Sequence, residues 1–146
     1  LEATTNVRVN GIRTHHDIDV LVKSHHAGFD IIWLVECKHW KNPVSKLHVL
    51  ALREIVTEIG ADRGILLSES GFQSGAIEAA NLTNVHITSL AELSLSASKI
   101  YIPCDCASSI TKLKSVMNVI GIYLKMRELS MVFDLKLEQL TIQPPV

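Results

Sequence analysis

The chain has 146 residues, of which 47% are hydrophobic and 20% are charged, a composition that excludes a disordered chain and suffices for one domain with a sizeable core. Its formal net charge of −1 argues mildly against a nucleic-acid-binding protein, which usually carries a basic surface. No apolar run approaches the roughly 20 residues of a membrane span and no signal peptide is evident, so we expect a soluble cytoplasmic protein whose three cysteines are reduced.

The first predicted element is a strand over residues 7–13, in which Val7 and Val9 alternate with polar side chains. It leads into a polar corner that contains His15 and His16. We expect this strand to pair antiparallel with the strand that follows it.

Two runs rich in valine and isoleucine follow, over residues 17–23 and 31–38, with a polar stretch between them. Both runs are too short for helices, and together they predict a β-hairpin whose turn lies near Ala27 and Gly28. Antiparallel pairing about such a turn sets opposite one another the residues whose numbers sum to about 55.

This register sets Asp19 opposite Glu36. It also sets Asp17 opposite Lys38, and strand alternation then directs all four side chains to one face. The side chains predicted for the other face are apolar: Ile18, Val20, Val35 and Cys37. The register therefore predicts a hairpin with one chemical face and one core face.

An aspartate that faces a glutamate needs a positive charge between them, because like charges directly opposite one another destabilise a strand pair. A divalent cation meets that need. Magnesium usually takes only one or two carboxylates and completes its shell with water and substrate phosphate oxygens. Two acids with an open side thus predict a catalytic magnesium site rather than a storage site.

A helix is predicted to begin after the N-cap Ser45 and to run to about Ile59, with Gly60 as its C-terminal stop. Its apolar residues fall at helical spacing and form the stripe that would face the core. These residues are Val49, Leu52, Val56 and Ile59.

Strands and helices alternate in the middle of the chain. We predict a buried strand at residues 64–67, a helix at about 73–82 and a short strand at 85–88. Such alternation with short links indicates parallel, right-handed crossovers. Joined to the antiparallel front, it predicts an α/β fold with a mixed central sheet flanked by helices.

Residues 94–146 are predicted to form a C-terminal β-α-β accessory region. It would comprise a strand at 99–102, a helix that begins after Ser108 or Ser109, and a strand at 131–138. The apolar residues of the helix fall at heptad spacing. We expect this region to pack on the core or to pair two protomers, and we favour the pairing.

Five histidines lie near turns and strand ends, at positions 15, 16, 25, 26 and 39. Because imidazole suits zinc, they raise the alternative of a zinc-stabilised structural domain. Adjacent histidines on a strand point to opposite faces, however, and no four-ligand spacing is present. Polar turn residues, with phosphate contacts from one or two of them, explain the histidines as well.

Ile18-Asp19-Val20, followed after a turn by Val35-Glu36-Cys37-Lys38, resembles the PD-(D/E)xK nuclease superfamily and most closely its restriction endonucleases of Mrr type. The similarity covers roughly residues 7–93. Its further matching segments are Trp40, 43–46, 60–65, 71–72, 75–76 and 79–80. The proline of the family's name is absent and Ile18 precedes the acid, so Asp19 is preferred to Asp17 as the motif's acid.

The resemblance implies a restriction-endonuclease-like core over residues 1–93 that hydrolyses DNA phosphodiester bonds with Mg²⁺, for which Mn²⁺ could substitute. It implies Asp19 and Glu36 as catalytic metal ligands, with the backbone carbonyl of Cys37 completing the metal shell. Lys38, the third catalytic residue, would orient or help to deprotonate the attacking water and would offset phosphate charge.

Three basic side chains close to the site in sequence, His39, Lys41 and Lys46, are predicted to contact nucleic acid. DNA is the expected substrate. A homodimer is the expected assembly, because double-strand cleavage commonly needs two sites. The alternative function is a noncatalytic DNA-binding or assembly module that retains the nuclease fold.

Overall fold

The computed structural model describes residues 2–26, 28–99, 118 and 120. Over these residues it contains one mixed sheet in the order β1-β2-β3-β4-β5, with antiparallel pairing from β1 to β3 and parallel pairing from β3 to β5. The elements are β1 (Glu2–Asn10), β2 (His15–His26), β3 (Phe29–Lys38), α1 (Lys46–Ile59), β4 (Arg63–Ser68), α2 (Ser74–Ala80), β5 (Val85–Thr88) and α3 (Leu90–Lys99). The predicted fold class, α/β with a mixed sheet and flanking helices, is confirmed.

The hairpin formed by β2 and β3 has the predicted register. Val20 lies opposite Val35, and the same register continues to His26 opposite Phe29. Gly28, in the turn, has a φ of 86°, a conformation that glycine adopts without steric cost. The prediction that residues facing each other sum to 55 is therefore confirmed.

Helix α1 begins and ends where the sequence predicts. Ser45 is its extended N-cap, and Gly60 closes it in the left-handed conformation with a φ of 72°. The hydroxyl of Ser45 lies 3.0 Å from Nδ1 of His48 rather than capping a backbone amide. Val49, Leu52 and Val56 are buried, so the helix packs its apolar stripe against the sheet.

Apolar side chains cover both faces of the sheet. The first cluster lies on the side of α1 and α2 and includes Leu21, Leu34 and Leu66. The second cluster lies on the other side and includes Val35 and Ile120. The predicted division into one chemical face and one core face is therefore wrong, because every long strand of this sheet contributes to two cores.

Side-chain alternation reverses within β2 at Asp19. Val20 and Val22 pack into the second cluster, as residues two apart on a strand should. Ile18 packs into the first cluster instead. The prediction that Ile18 shares a face with Val20 is wrong, because the strand turns over at the residue between them.

Strand β1 turns over at the facing position. Ala3 packs against the second cluster, whereas Val7 and Val9 pack against the first. The two strands keep one register on both sides of the position where Asn6 faces Asp19, but the ladder omits that pair. Asn6 has a φ of 51°, in the left-handed region that asparagine tolerates better than most residues.

We call residues 7–18, which comprise the end of β1, the turn and the start of β2, the hairpin arm. Past the bend, Val7, Val9 and Ile18 join the cluster that contains α1. Its turn also contacts that helix, because the backbone N–H of Ile12 donates to the carbonyl of Glu58 at 3.2 Å. The arm therefore folds over the C-terminal part of α1.

The C-terminal part of the chain differs from the prediction at Lys99 and agrees with it at residues 118 and 120. Lys99, predicted to open a strand, is instead the last residue of α3, which was not predicted. Asn118 and Ile120 are helical, as predicted, and Ile120 is 2% exposed against the sheet's second cluster. Residues 100–102 and the predicted strand at 131–138 lie outside the described residues. None of the helices in the described ranges is long and apolar enough to cross a membrane.

Candidate active site

Asp19 reaches toward the backbone of β3. Its Oδ2 accepts a hydrogen bond of 2.8 Å from the backbone N–H of Cys37, and the residue is half-buried. The β2–β3 ladder ends one pair earlier, at Val20 and Val35. The carboxylate thus occupies the position of a strand partner at the end of the hairpin.

Glu36 and Lys38 flank Cys37 on the same strand. Val35 and Cys37 pack into the second cluster, so alternation places Glu36 and Lys38 together on the opposite face. Nζ of Lys38 donates to Oε2 of Glu36 at 3.0 Å, with 22% and 13% of the two side chains exposed. The structure therefore brings Asp19, Glu36 and Lys38 together at one end of β3.

An aromatic ring contacts Lys38. Its ammonium lies 5.6 Å from the ring centroid of Trp40, within the range of a cation–π interaction. The Trp40 ring meets the His48 ring edge-on, at 4.6 Å between centroids. Since the side chain of His48 is hydrogen-bonded to that of Ser45, contacts through His48 and Trp40 link the start of α1 to Lys38.

The loop after Lys38 is fixed against the end of β4. Ser68, which pairs with Lys38 across the parallel ladder, is buried, and its hydroxyl lies 3.0 Å from that of Ser70. The Ser70 hydroxyl donates to the carbonyl of Asn42 at 2.9 Å. These serines were not predicted as site residues, although Ser68 ends a parallel strand and Ser70 follows it, at the end where α/β sheets position ligands.

The three basic side chains predicted to contact nucleic acid all follow the site. Lys41 and Lys46 are exposed, and His39 is half-buried. The stem of Lys46 lies over Gly75 at the start of α2, where an added Cβ would stand 3.7 Å from its Cβ. The loop and the first turn of α1, which follow Lys38 in the sequence, thus carry two exposed lysines.

Asp17 lies away from these residues, on the hairpin arm. It forms an ion pair with Arg8 across the strands, at 2.7 Å between Oδ1 and Nε, and its side chain is 71% exposed. The hydrogen bond from Arg8 lowers the pKa of Asp17 below its ordinary value. The prediction that Asp17 shares the face of Glu36 is wrong, because the strand turns over at Asp19.

A second charged cluster, which we call the Glu58 clasp, joins the hairpin arm to α1. Oε2 of the buried Glu58 lies 2.6 Å from Nε2 of His16, and Arg13 forms ion pairs with both Glu58 and Glu54. Its hydrogen bond with His16 is the main cause of the lowered pKa of Glu58, and Arg13 adds to it. The clasp fixes the far end of the arm.

The histidines do not form a zinc centre in the described part of the chain. His15 lies 2.7 Å from Oδ1 of Asn10, and His25 lies 2.7 Å from Oδ1 of Asp30. His16 belongs to the clasp. No group of three or more histidine, cysteine, aspartate or glutamate side chains is placed to hold a metal among the described residues.

The donors beside Cys37 fit a hard cation better than zinc. Asp19 and Glu36 offer carboxylate oxygens, and Cys37 offers its backbone carbonyl. Oxygen ligands of this kind, few in number, are typical of magnesium sites that complete their shell with water and substrate. This arrangement can hold a cation beside a lysine at the end of a sheet.

Comparison with known proteins bears on the family and the fold of the chain. The family model Mrr_cat, described as restriction endonuclease, matches residues 2–121. A crystallised protein of unknown function, AF1548, has a similar structure with a TM-score of 0.53 and 17% sequence identity, over 87% of this chain and 84% of that chain. This likeness supports the fold. No curated protein matches the chain.

Proposed function

Because the chain belongs to the Mrr family of restriction endonucleases, we propose that it is a magnesium-dependent endonuclease that hydrolyses DNA phosphodiester bonds. Family membership implies nuclease activity of the restriction-endonuclease type. The observation that carries the finer proposal is the hydrogen bond between Asp19 and the Cys37 N–H, because it sets one acid beside the Glu36–Lys38 pair.

Asp19 and Glu36 are the proposed metal ligands, through their carboxylate oxygens. The N–H and C=O of one strand residue point to the same neighbouring strand. Since the Cys37 N–H points toward Asp19, the Cys37 carbonyl lies on that side as well and is the proposed third protein ligand. When bound, Mg²⁺ or Mn²⁺ polarises the phosphoryl oxygens and lowers the pKa of a water molecule.

Lys38 is the proposed group that orients the attacking water and, through its positive charge, favours loss of the water's proton to solvent. Its ammonium is confined by Glu36 and by the Trp40 ring, so its position is set before substrate arrives. The bond from the water oxygen to phosphorus forms as a phosphorus–oxygen bond to one deoxyribose breaks, and the leaving deoxyribose oxygen takes up a proton from solvent. The positive charge of Lys38 also offsets the charge on the phosphate oxygens.

Lys41, Lys46 and His39 are proposed to contact the DNA backbone beside the cleaved bond. Phosphate contacts of this kind position a duplex without reading its sequence. The formal net charge of −1 does not oppose this role, because the two exposed lysines follow the site closely in the sequence while acids elsewhere lower the total. Local charge decides the approach of DNA within a Debye length.

The test of this function is cleavage of supercoiled plasmid by the purified full chain. We expect nicked or linear products with Mg²⁺ or Mn²⁺ and none in the presence of EDTA. The noncatalytic alternative predicts DNA binding without products under both conditions. Because the substrate sequence and any base modification are unknown, plasmids with and without base methylation should both be assayed.

A further inference from the structure

The direction of Asp19 depends on the bend in the hairpin. Val20 and Val22 lie on the face of the second cluster, so regular alternation would turn Asp19 onto the opposite face of the sheet. Its carboxylate instead meets the Cys37 N–H at the edge of β3. The change of direction occurs where β2 turns over.

The bend requires a backbone conformation that few residues accept. Asn6, which faces Asp19 in the β1–β2 register, has a φ of 51° and is exposed. β-Branched residues strongly disfavour this conformation, and glycine accepts it freely. The left-handed conformation of Asn6 therefore allows β1 to turn over together with β2 while their pairing continues on both sides.

The Glu58 clasp holds the turned arm in place. Glu58 is buried in α1 and binds both His16 and Arg13 of the arm. Gly11 lies against the same carboxylate, because an added Cβ there would come within 3.0 Å of Oε2 of Glu58. The arm is thus fixed at its bend by Asn6 and at its far end by Glu58.

We propose that Asn6 and Glu58 are positioning residues for Asp19, which they aim at the backbone of Cys37 by fixing the bend of the hairpin arm. Neither side chain is among the proposed metal ligands. The effect of Asn6 and Glu58 on metal binding rests on the proposed function. The aiming of the carboxylate does not, since it is a property of the metal-free protein.

The first test measures hydrogen exchange of the Cys37 amide by NMR in the metal-free protein. Asp19→Ala removes the acceptor and sets the exchange rate of the unprotected amide. We expect Asn6→Val to raise the rate toward that limit, by about tenfold or more, and Asn6→Gly to stay within about threefold of wild type. If the substitutions acted only through the stability of the strand, Asn6→Gly would raise the exchange rate more than Asn6→Val, because valine favours an exposed strand and glycine weakens it.

A folded Asn6→Val protein whose Cys37 amide exchanges as slowly as wild type would overturn the proposal. Equal loss of protection in Asn6→Gly would overturn it as well, because the backbone conformation would then not be the cause. If Asn6→Val does not fold, Glu58→Ala decides, with Glu54→Ala as its control at the exposed side of the clasp. We expect Glu58→Ala alone to raise the exchange rate, and equal rates in the two variants would reject the clasp's role.

The second test measures Mn²⁺ affinity by water-proton relaxation. We expect Asn6→Val and Glu58→Ala to bind Mn²⁺ about 10- to 100-fold more weakly, as when the support of a metal ligand is removed, while Asn6→Gly and Glu54→Ala bind as wild type. Unchanged affinity in Asn6→Val and Glu58→Ala would overturn the link to metal binding. If wild type itself binds no Mn²⁺, the proposed function fails, and the amide measurement still decides the aiming of Asp19.

Discussion

The roles proposed for Asp19 and Lys38 separate in a thermal measurement. Metal that binds only the folded protein raises the midpoint of unfolding once its concentration passes the dissociation constant, which for two protein carboxylates lies on the order of millimolar. We expect Asp19→Asn to abolish the rise with Mg²⁺ or Mn²⁺ and Lys38→Ala to retain it while losing cleavage by at least about 100-fold. A rise that persists in Asp19→Asn would contradict its assignment. Collapse of wild type by a zinc chelator would favour the histidine-based alternative.

The pH dependence of stability reports on Glu58. Its pKa is lowered by His16 and Arg13, so its contribution is complete above the unfolded value of about 4.3 and is lost as pH falls through the folded value. Glu58→Gln cannot titrate. We therefore expect the melting temperature of wild type to exceed that of Glu58→Gln at neutral pH and the difference to shrink below about pH 4.3. If the melting temperatures of wild type and Glu58→Gln changed in parallel with pH, the clasp would not stabilise the charged form of Glu58.

Two glycines test how closely the helices lie on the sheet. At Gly64 an added Cβ would stand 2.8 Å from Cγ2 of Val56, so we expect Gly64→Ala to lower the free energy of unfolding by about 1–3 kcal/mol through overpacking. Gly75 is the control, because its nearest contact would be an ordinary 3.7 Å. In helix α2, alanine there should be neutral or stabilising by up to about 1 kcal/mol. Equal effects in urea denaturation would contradict the close packing of α1 on β4.

The elements that the sequence predicted best are those with local signals. The register of the hairpin follows from its glycine turn and from two regular runs, and α1 lies between Ser45 and Gly60. The bend at Asn6 has no such signal, because its left-handed backbone depends on packing of the arm against α1. The clasp joins residues more than 40 positions apart, which periodicity cannot detect. Helix α3 was missed because the predicted boundary at residue 93 falls within it.

For the whole molecule, a homodimer is the predicted assembly. Ile120 is buried against the sheet of its own protomer, and α3 crosses the proposed boundary between 1–93 and 94–146, so the accessory region contributes to the core. We still expect residues 94–146 to pair two protomers, because cutting both strands needs two sites. Sedimentation of the full chain should show a dimer. A monomer at high protein concentration would reject this prediction.

The most direct test of the nuclease site is the rate of plasmid cleavage against Mg²⁺ concentration for wild type, Glu36→Gln and Asp17→Asn. The two substitutions each remove one carboxylate charge, but only Glu36 is a proposed ligand, while Asp17 is ion-paired with Arg8 on the arm. We expect Glu36→Gln to lose at least about 100-fold in rate and Asp17→Asn to cleave within a few-fold of wild type. Undiminished cleavage by folded Glu36→Gln protein would contradict the proposed site.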